Sequence, residues 1–80
     1  MTKEEIQSVI LSVLGKIAPE VDPAEIRPEV GFREQLDLDS MDFLNFVVAL
    51  HEAFHVEILE TDYPKLATLK GAVDFLASRR

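Results

Sequence analysis

The sequence has no cysteine and no tryptophan among its 80 residues, and only three glycines. Without cysteine there is no disulfide and no protein thiolate, so any thiol chemistry has to come from a cofactor. No apolar run approaches the roughly 20 residues that a membrane-spanning helix needs. The opening Met1-Thr2-Lys3-Glu4-Glu5 carries no apolar signal region. Together these absences predict a cytoplasmic protein. Lysine and arginine are missing from residues 34–62, which hold Glu34, Asp37, Asp39, Asp42, Glu52, Glu57, Glu60 and Asp62. That segment carries −8 and the remainder +1, within a formal net charge of −7. Such a surface repels nucleic acid and anionic membranes and suits basic protein partners. The plainer alternative is an acidic face that only maintains solubility.

Eighty residues allow one domain, spanning 1–80, and 48% apolar content allows only a small core. A soft, marginally stable fold is expected. Thr2 and Glu5 have the spacing of a capping box. Ile6, Val9, Ile10, Val13, Leu14 and Ile17 follow at helical spacing, which predicts a helix over 3–17. Residues 18–38 are broken by Pro19, Pro23, Pro28 and Gly31, and Asp22-Pro23 suits a single helical turn. Val21, Ile26, Val30, Phe32, Leu36 and Leu38 can pin this long loop to the core. A second long helix is expected over 40–54, a short turn over 61–66, and a last helix over 69–79 capped by Thr68. Leu69, Ala72, Val73 and Leu76 form its core stripe, Gly71 is expected to cost about 1 kcal/mol relative to Ala, and Arg79 and Arg80 suit its C-terminal end. No strand pattern is present. The expected fold is all-α, with three main helices and one short helix between the last two.

The helix over 40–54 has two apolar stripes. Phe46, Val47, Leu50 and Phe54 are the candidate core face. Met41, Leu44 and Val48 form a second stripe, and so small a bundle has little chain left to cover it. Ahead of them, Asp39 can cap the helix start and Ser40 falls in the first turn. There the uncapped N–H groups and the helix dipole favour an anion such as a phosphate ester.

Asp39-Ser40-Met41-Asp42, continued by Phe43-Leu44-Asn45-Phe46-Val47-Val48-Ala49-Leu50-His51-Glu52-Ala53-Phe54, resembles the acyl carrier protein family. That family has Asp-Ser-Leu at this helix start, and Met41 is a volume-conserving exchange for the Leu. The likeness extends to Phe54-His55-Val56-Glu57-Ile58 and to Thr68-Leu69-Lys70-Gly71-Ala72-Val73-Asp74-Phe75-Leu76. It implies a small four-helix bundle and a carrier rather than an enzyme. It also implies covalent attachment of 4′-phosphopantetheine, from coenzyme A, at Ser40, with acyl groups held as thioesters on the distal thiol. The implied partners are a phosphopantetheinyl transferase and acyl-processing enzymes with basic docking patches. The implied docking residues are Asp39, Met41, Asp42, Leu44, Asn45, Val48, His51 and Glu52. Phe43, Phe46, Val47, Ile58, Tyr63 and Leu66 are candidates to border an acyl cavity. A monomer is expected, with neither nucleic acid nor membrane as partner. Asp39 and Asp42 oppose a phosphodiester at Ser40, so their presence is better explained by recognition of basic partners.

An aminoacyl carrier, peptidyl or D-alanyl, stays open, although Leu36-Asp37-Leu38 lacks the paired glycines usual before a peptidyl carrier's serine. A never-modified helical adaptor is the more distant alternative. Other chemistry fits poorly. Asp37-x-Asp39 starts like a calcium loop, but Met41 and Val48 stand where ligands are needed. His51 and His55 are too few for zinc, and no metal site is expected. His51 is eleven residues beyond Ser40, about three helical turns, too far to act as its base. Fatty-acid-synthesis carriers usually have acids where this chain has Asn45 and His51, and a small or polar residue where it has Phe43. These departures suggest a specialised carrier with dedicated partners.

Overall fold

The computed structural model describes residues 1–79. Arg80, expected beside Arg79, lies outside the described residues. The order of α-helices is α1 (Lys3–Ile17), α2 (Phe32–Gln35), α3 (Ser40–Phe54) and α4 (Leu69–Arg79). Tighter 3-10 turns cover Pro23–Glu25 and Glu60–Leu66. The described residues contain no strand, and none of their helices is long and apolar enough to cross a membrane. All three long helices have the expected bounds. The four-residue α2 was not expected, because one helical turn is too short to show a period.

Helix α1 starts at the expected capping box. The Thr2 hydroxyl accepts the Glu5 N–H at 3.1 Å, and the Glu5 carboxylate accepts the Thr2 N–H at 2.8 Å. Hydrogen bonding by Thr2 favours the ionised carboxylate and holds Glu5 below its ordinary range. A lowered value means that this contribution is present at neutral pH and lost as the pH falls through it. Ile6, Ile10, Val13 and Leu14 are buried, and α1 packs its apolar face on α3 and α4.

The long loop is held by side chains and backbone together. Ile26, Phe32 and Leu38 enter the core. The Phe32 N–H donates to the Ala67 carbonyl at 2.7 Å, and the Lys70 N–H to the Pro28 carbonyl at 3.0 Å. Gln35 acts as a clamp: its amide oxygen accepts the Arg27 N–H, and its NH₂ donates to the Arg27 and Val30 carbonyls, each at 2.9 Å. Asp37 has a left-handed backbone, φ 54°, which aspartate tolerates better than most residues. This bend separates half-buried Leu36 from buried Leu38 and leads the chain into α3.

Helix α4 departs from expectation at two residues. Phe75 is buried as well as the expected stripe, and the Arg79 guanidinium lies 4.7 Å from its ring centroid. Gly71 is more than a weak helix former. A Cβ there would collide with the backbone carbonyl of Lys65 and come within 3.0 Å of the Thr68 hydroxyl, which caps the Gly71 N–H. The Glu60–Leu66 turn packs against α4 at this bare position. Gly71→Ala is therefore expected to lower stability despite alanine's better helix propensity. A loss of about 1–3 kcal/mol is typical of overpacking, and chemical denaturation measures it.

Candidate functional site

Ser40 is the first residue of α3, and its side chain is exposed. The turn ahead of it is closed by two carboxylates. The Asp39 carboxylate accepts the Asp42 N–H at 2.8 Å, and the Asp42 carboxylate accepts the Asp39 N–H at 3.3 Å. This reciprocal cap satisfies N–H groups that a helix start leaves unpaired, and it fixes the direction in which α3 leaves the loop. It also revises the expected role of the two acids. Each has a structural task beside any part in recognition, and the Asp-x-x-Asp spacing was the signal for it.

A residue that the sequence reading did not single out completes the site. Arg33, on α2, donates from Nη2 to the Ser40 hydroxyl oxygen at 3.3 Å. The four-residue helix makes this approach possible. Phe32 is fully buried with its ring edge-on to Phe46 of α3, the centroids 5.1 Å apart. The next side chain along α2 then reaches out toward the start of α3.

The structure divides the other candidates clearly. Met41, Leu44 and Val48 are 63%, 40% and 48% exposed, so the second apolar stripe is open to solvent. Asn45, His51 and Glu52 are exposed on the same helix. The His51 ring is engaged, however: its Nδ1–H donates to the Val56 carbonyl at 2.8 Å. The bond ties α3 to the chain just beyond His55, which closes the helix with a left-handed φ of 55°. Of the acyl-cavity candidates, Phe43 and Tyr63 come together, 6.2 Å between ring centroids, and line an open cleft of about 250 Å³ with Gly31, Arg33, Glu34, Pro64 and Ala67. Phe46, Val47 and Leu66 belong instead to the buried core, and Ile58 packs half-buried against it.

The acidic segment is less uniform than its sequence count. Asp62 is 5% exposed and accepts the Leu59 N–H at 3.1 Å. Lys65 and Arg79 each approach its carboxylate at 3.8 Å. Asp62 is thus a structural carboxylate, taken out of the acidic surface by bases from outside the segment.

A family model described as a phosphopantetheine attachment site matches residues 4–76, nearly the whole of this bundle. The fold and the match define a phosphopantetheine-binding carrier domain. An acyl carrier protein of Rubrobacter xylanophilus is 35% identical over 77 residues, which make up 96% of this chain and 89% of that protein. The mitochondrial acyl carrier protein 2 of Arabidopsis thaliana is 38% identical over 98% of this chain, which spans 61% of that longer protein. The solved acyl carrier protein of Enterococcus faecalis superposes with a TM-score of 0.84 at 25% identity, covering all of both chains. The chain belongs to the acyl carrier protein family, whose prosthetic group is 4′-phosphopantetheine.

The cap separates two contributions of Asp42. In Asp42→Asn the amide oxygen can still accept the Asp39 N–H, while the charge is lost. Stability should fall by no more than about 1 kcal/mol, the range for one first-turn charge at a helix N-terminus, and loading by a phosphopantetheinyl transferase should slow at low salt only. Asp42→Lys should lose both stability and loading rate. Parallel melts and loading kinetics of the two variants test the distinction.

Proposed function

We propose that Ser40 carries the 4′-phosphopantetheine arm and that the chain serves as a tether, with catalysis supplied by its partners. One observation carries this reading: an exposed serine hydroxyl at the first residue of a long capped helix, inside the matched family region. In loading, a bond forms between the serine oxygen and the β-phosphorus of coenzyme A. The pyrophosphate P–O bond breaks, 3′,5′-adenosine bisphosphate leaves, and the serine proton passes to a base of the transferase. The residues present fit the arm. Oγ is accessible, the helix end favours an anion, and Arg33 brings a positive charge to the same atom. When bound, the arm supplies the thiol that this cysteine-free chain lacks. His51 stays committed to Val56 and lies about 16 Å along α3 from Ser40, at about 1.5 Å per residue, which supports leaving catalysis to the partners. Ser40→Ala should abolish the mass gain on incubation with coenzyme A and a broad-specificity transferase. A variant that still gains the arm overturns the assignment.

Partners are read as enzymes with a basic patch around an apolar contact. They would meet exposed Met41, Leu44 and Val48 between Asp39, Asp42 and Glu52 on a monomeric carrier. Rim charges of this kind govern encounter rate and choice of partner more than final affinity. Asn45 and His51 leave the middle of this face without acids, which supports a carrier with dedicated partners in a specialised pathway. Asn45→Glu is the cleaner probe, because replacing His51 also breaks its bond to Val56. Loaded wild-type carrier should turn over poorly with general fatty-acid elongation enzymes, and Asn45→Glu should recover several-fold in kcat/KM. Turnover equal to that of a general carrier before any substitution would overturn the specialised reading.

A further inference from the structure

Between Arg27 and Lys65 the sequence has a single lysine or arginine, Arg33, and the fold brings that one guanidinium to the Ser40 hydroxyl, Nη2 to Oγ at 3.3 Å. Among the described residues Arg33 forms no ion pair with a carboxylate. Its charge is therefore uncommitted. The backbone that presents it is fixed, because the buried Phe32 beside it and the Gln35 clamp at the other end of α2 hold that helix in place. We infer that Arg33 is the cation that holds the phosphodiester of the prosthetic arm, and that it compensates for the negative charge which modification adds to the α3 terminus. The inference rests on the Ser40 assignment.

The charge balance explains why a cation is needed. Asp39 and Asp42 cap α3 with two carboxylates on either side of Ser40, in a chain whose net charge is already −7. A phosphodiester on Ser40 adds a third negative group to the same turn. The helix dipole offsets part of the repulsion, and its effect is confined to the first turn and screened by salt. A guanidinium already at the oxygen that becomes the ester link meets the phosphate one bond further on. Arginine suits the task, since it stays charged and is weakly hydrated. The same side chain borders the cleft lined by Phe43 and Tyr63. A held phosphate would thus fix the root of the arm at the mouth of that cleft, making Arg33 a positioning residue for the arm.

The test compares apo and loaded forms of the wild type, Arg33→Gln and Arg33→Lys, with loading checked by intact mass. The quantity read is the change in Tm on loading. At low salt it should be less favourable in Arg33→Gln than in the wild type by about 1–6 °C, the range for one exposed charge pair in a domain of this size. The difference should shrink in about 1 M salt, where the Debye length falls to about 3 Å. Arg33→Lys should show no more than half of that difference from the wild type. An equal change in the wild type and Arg33→Gln overturns the inference, as does a loss in Arg33→Lys equal to that in Arg33→Gln. Should Arg33→Gln fail to fold, the wild type alone still decides. The Arg33 Nε–H resonance should move on loading and return when a phosphodiesterase removes the arm, and an unmoved resonance overturns the proposal. Peptide mapping reports separately on Ser40, since an arm found on another residue overturns the attachment reading itself.

Discussion

The edge-on contact between Phe32 and Phe46 holds the functional end of the molecule together. Phe32 belongs to a single helical turn, which has no stability of its own. Phe46 is the first buried residue on the core face of α3. With both rings fully buried, the loop before α3 is fixed against α3 itself. Backbone hydrogen bonds from Phe32 to Ala67 and from Lys70 to Pro28 carry the same constraint to the start of α4. The helix start at Ser40 is thus set from two directions, by the core through Phe46 and by the loop through Phe32. Arg33 reaches Ser40 as a consequence of that geometry.

The segment that contains Ser40 concentrates charge of one sign, and the structure limits the cost in three ways. Asp39 and Asp42 accept each other's backbone N–H groups, so each carboxylate has a charge-assisted hydrogen bond at a helix terminus. Asp62 is drawn inside and faces Lys65 and Arg79. Arg33 then places one positive charge beside the serine. Asp39 and Glu52 remain exposed on or beside the helix that carries the apolar stripe, a pattern suited to steering a basic partner.

Much of this was legible in the sequence, and the reasons differ by element. The three long helices were readable because each carries an apolar stripe over several turns and a side-chain cap at Thr2, Asp39 or Thr68. The exposed position of Ser40 at the helix start was readable from its place after a cap, and the exposed stripe from having one apolar face too many. The parts that were not legible depend on contacts between distant segments. Nothing near Gly71 indicates that the Lys65 carbonyl will lie against it. Nothing near Arg33 indicates Ser40, because the approach needs both the α2 turn and the left-handed bend at Asp37. Phe46 and Val47 were legible as the core face of α3 from their helical spacing, but the same apolar character also made them, with Leu66, candidates to border a cavity, and composition does not decide between the two. The structure gives them to the core and leaves Phe43 and Tyr63 at the cleft.

Helix α3 links stability to function more tightly than its neighbours do. Its 15 residues hold a core stripe, a solvent-facing apolar stripe and the candidate attachment point. Leaving Met41, Leu44 and Val48 in water forgoes the stabilisation that burial would bring, roughly 1.5–3 kcal/mol for each large apolar side chain fully buried. A domain of 80 residues has little reserve for such a loss. The rest of α3 offsets it locally, through the two-carboxylate cap at one end and the tie between His51 and Val56 at the other. Both devices use polar side chains that lie near the exposed apolar stripe on the same helix. A substitution at Asp39, Asp42 or His51 that removes the hydrogen-bonding atom therefore alters the exposed face and the helix that presents it together. The exposed face of α3 is more freely altered at Asn45, for which the structure shows no such hydrogen bond, than at the residues that hold the helix ends.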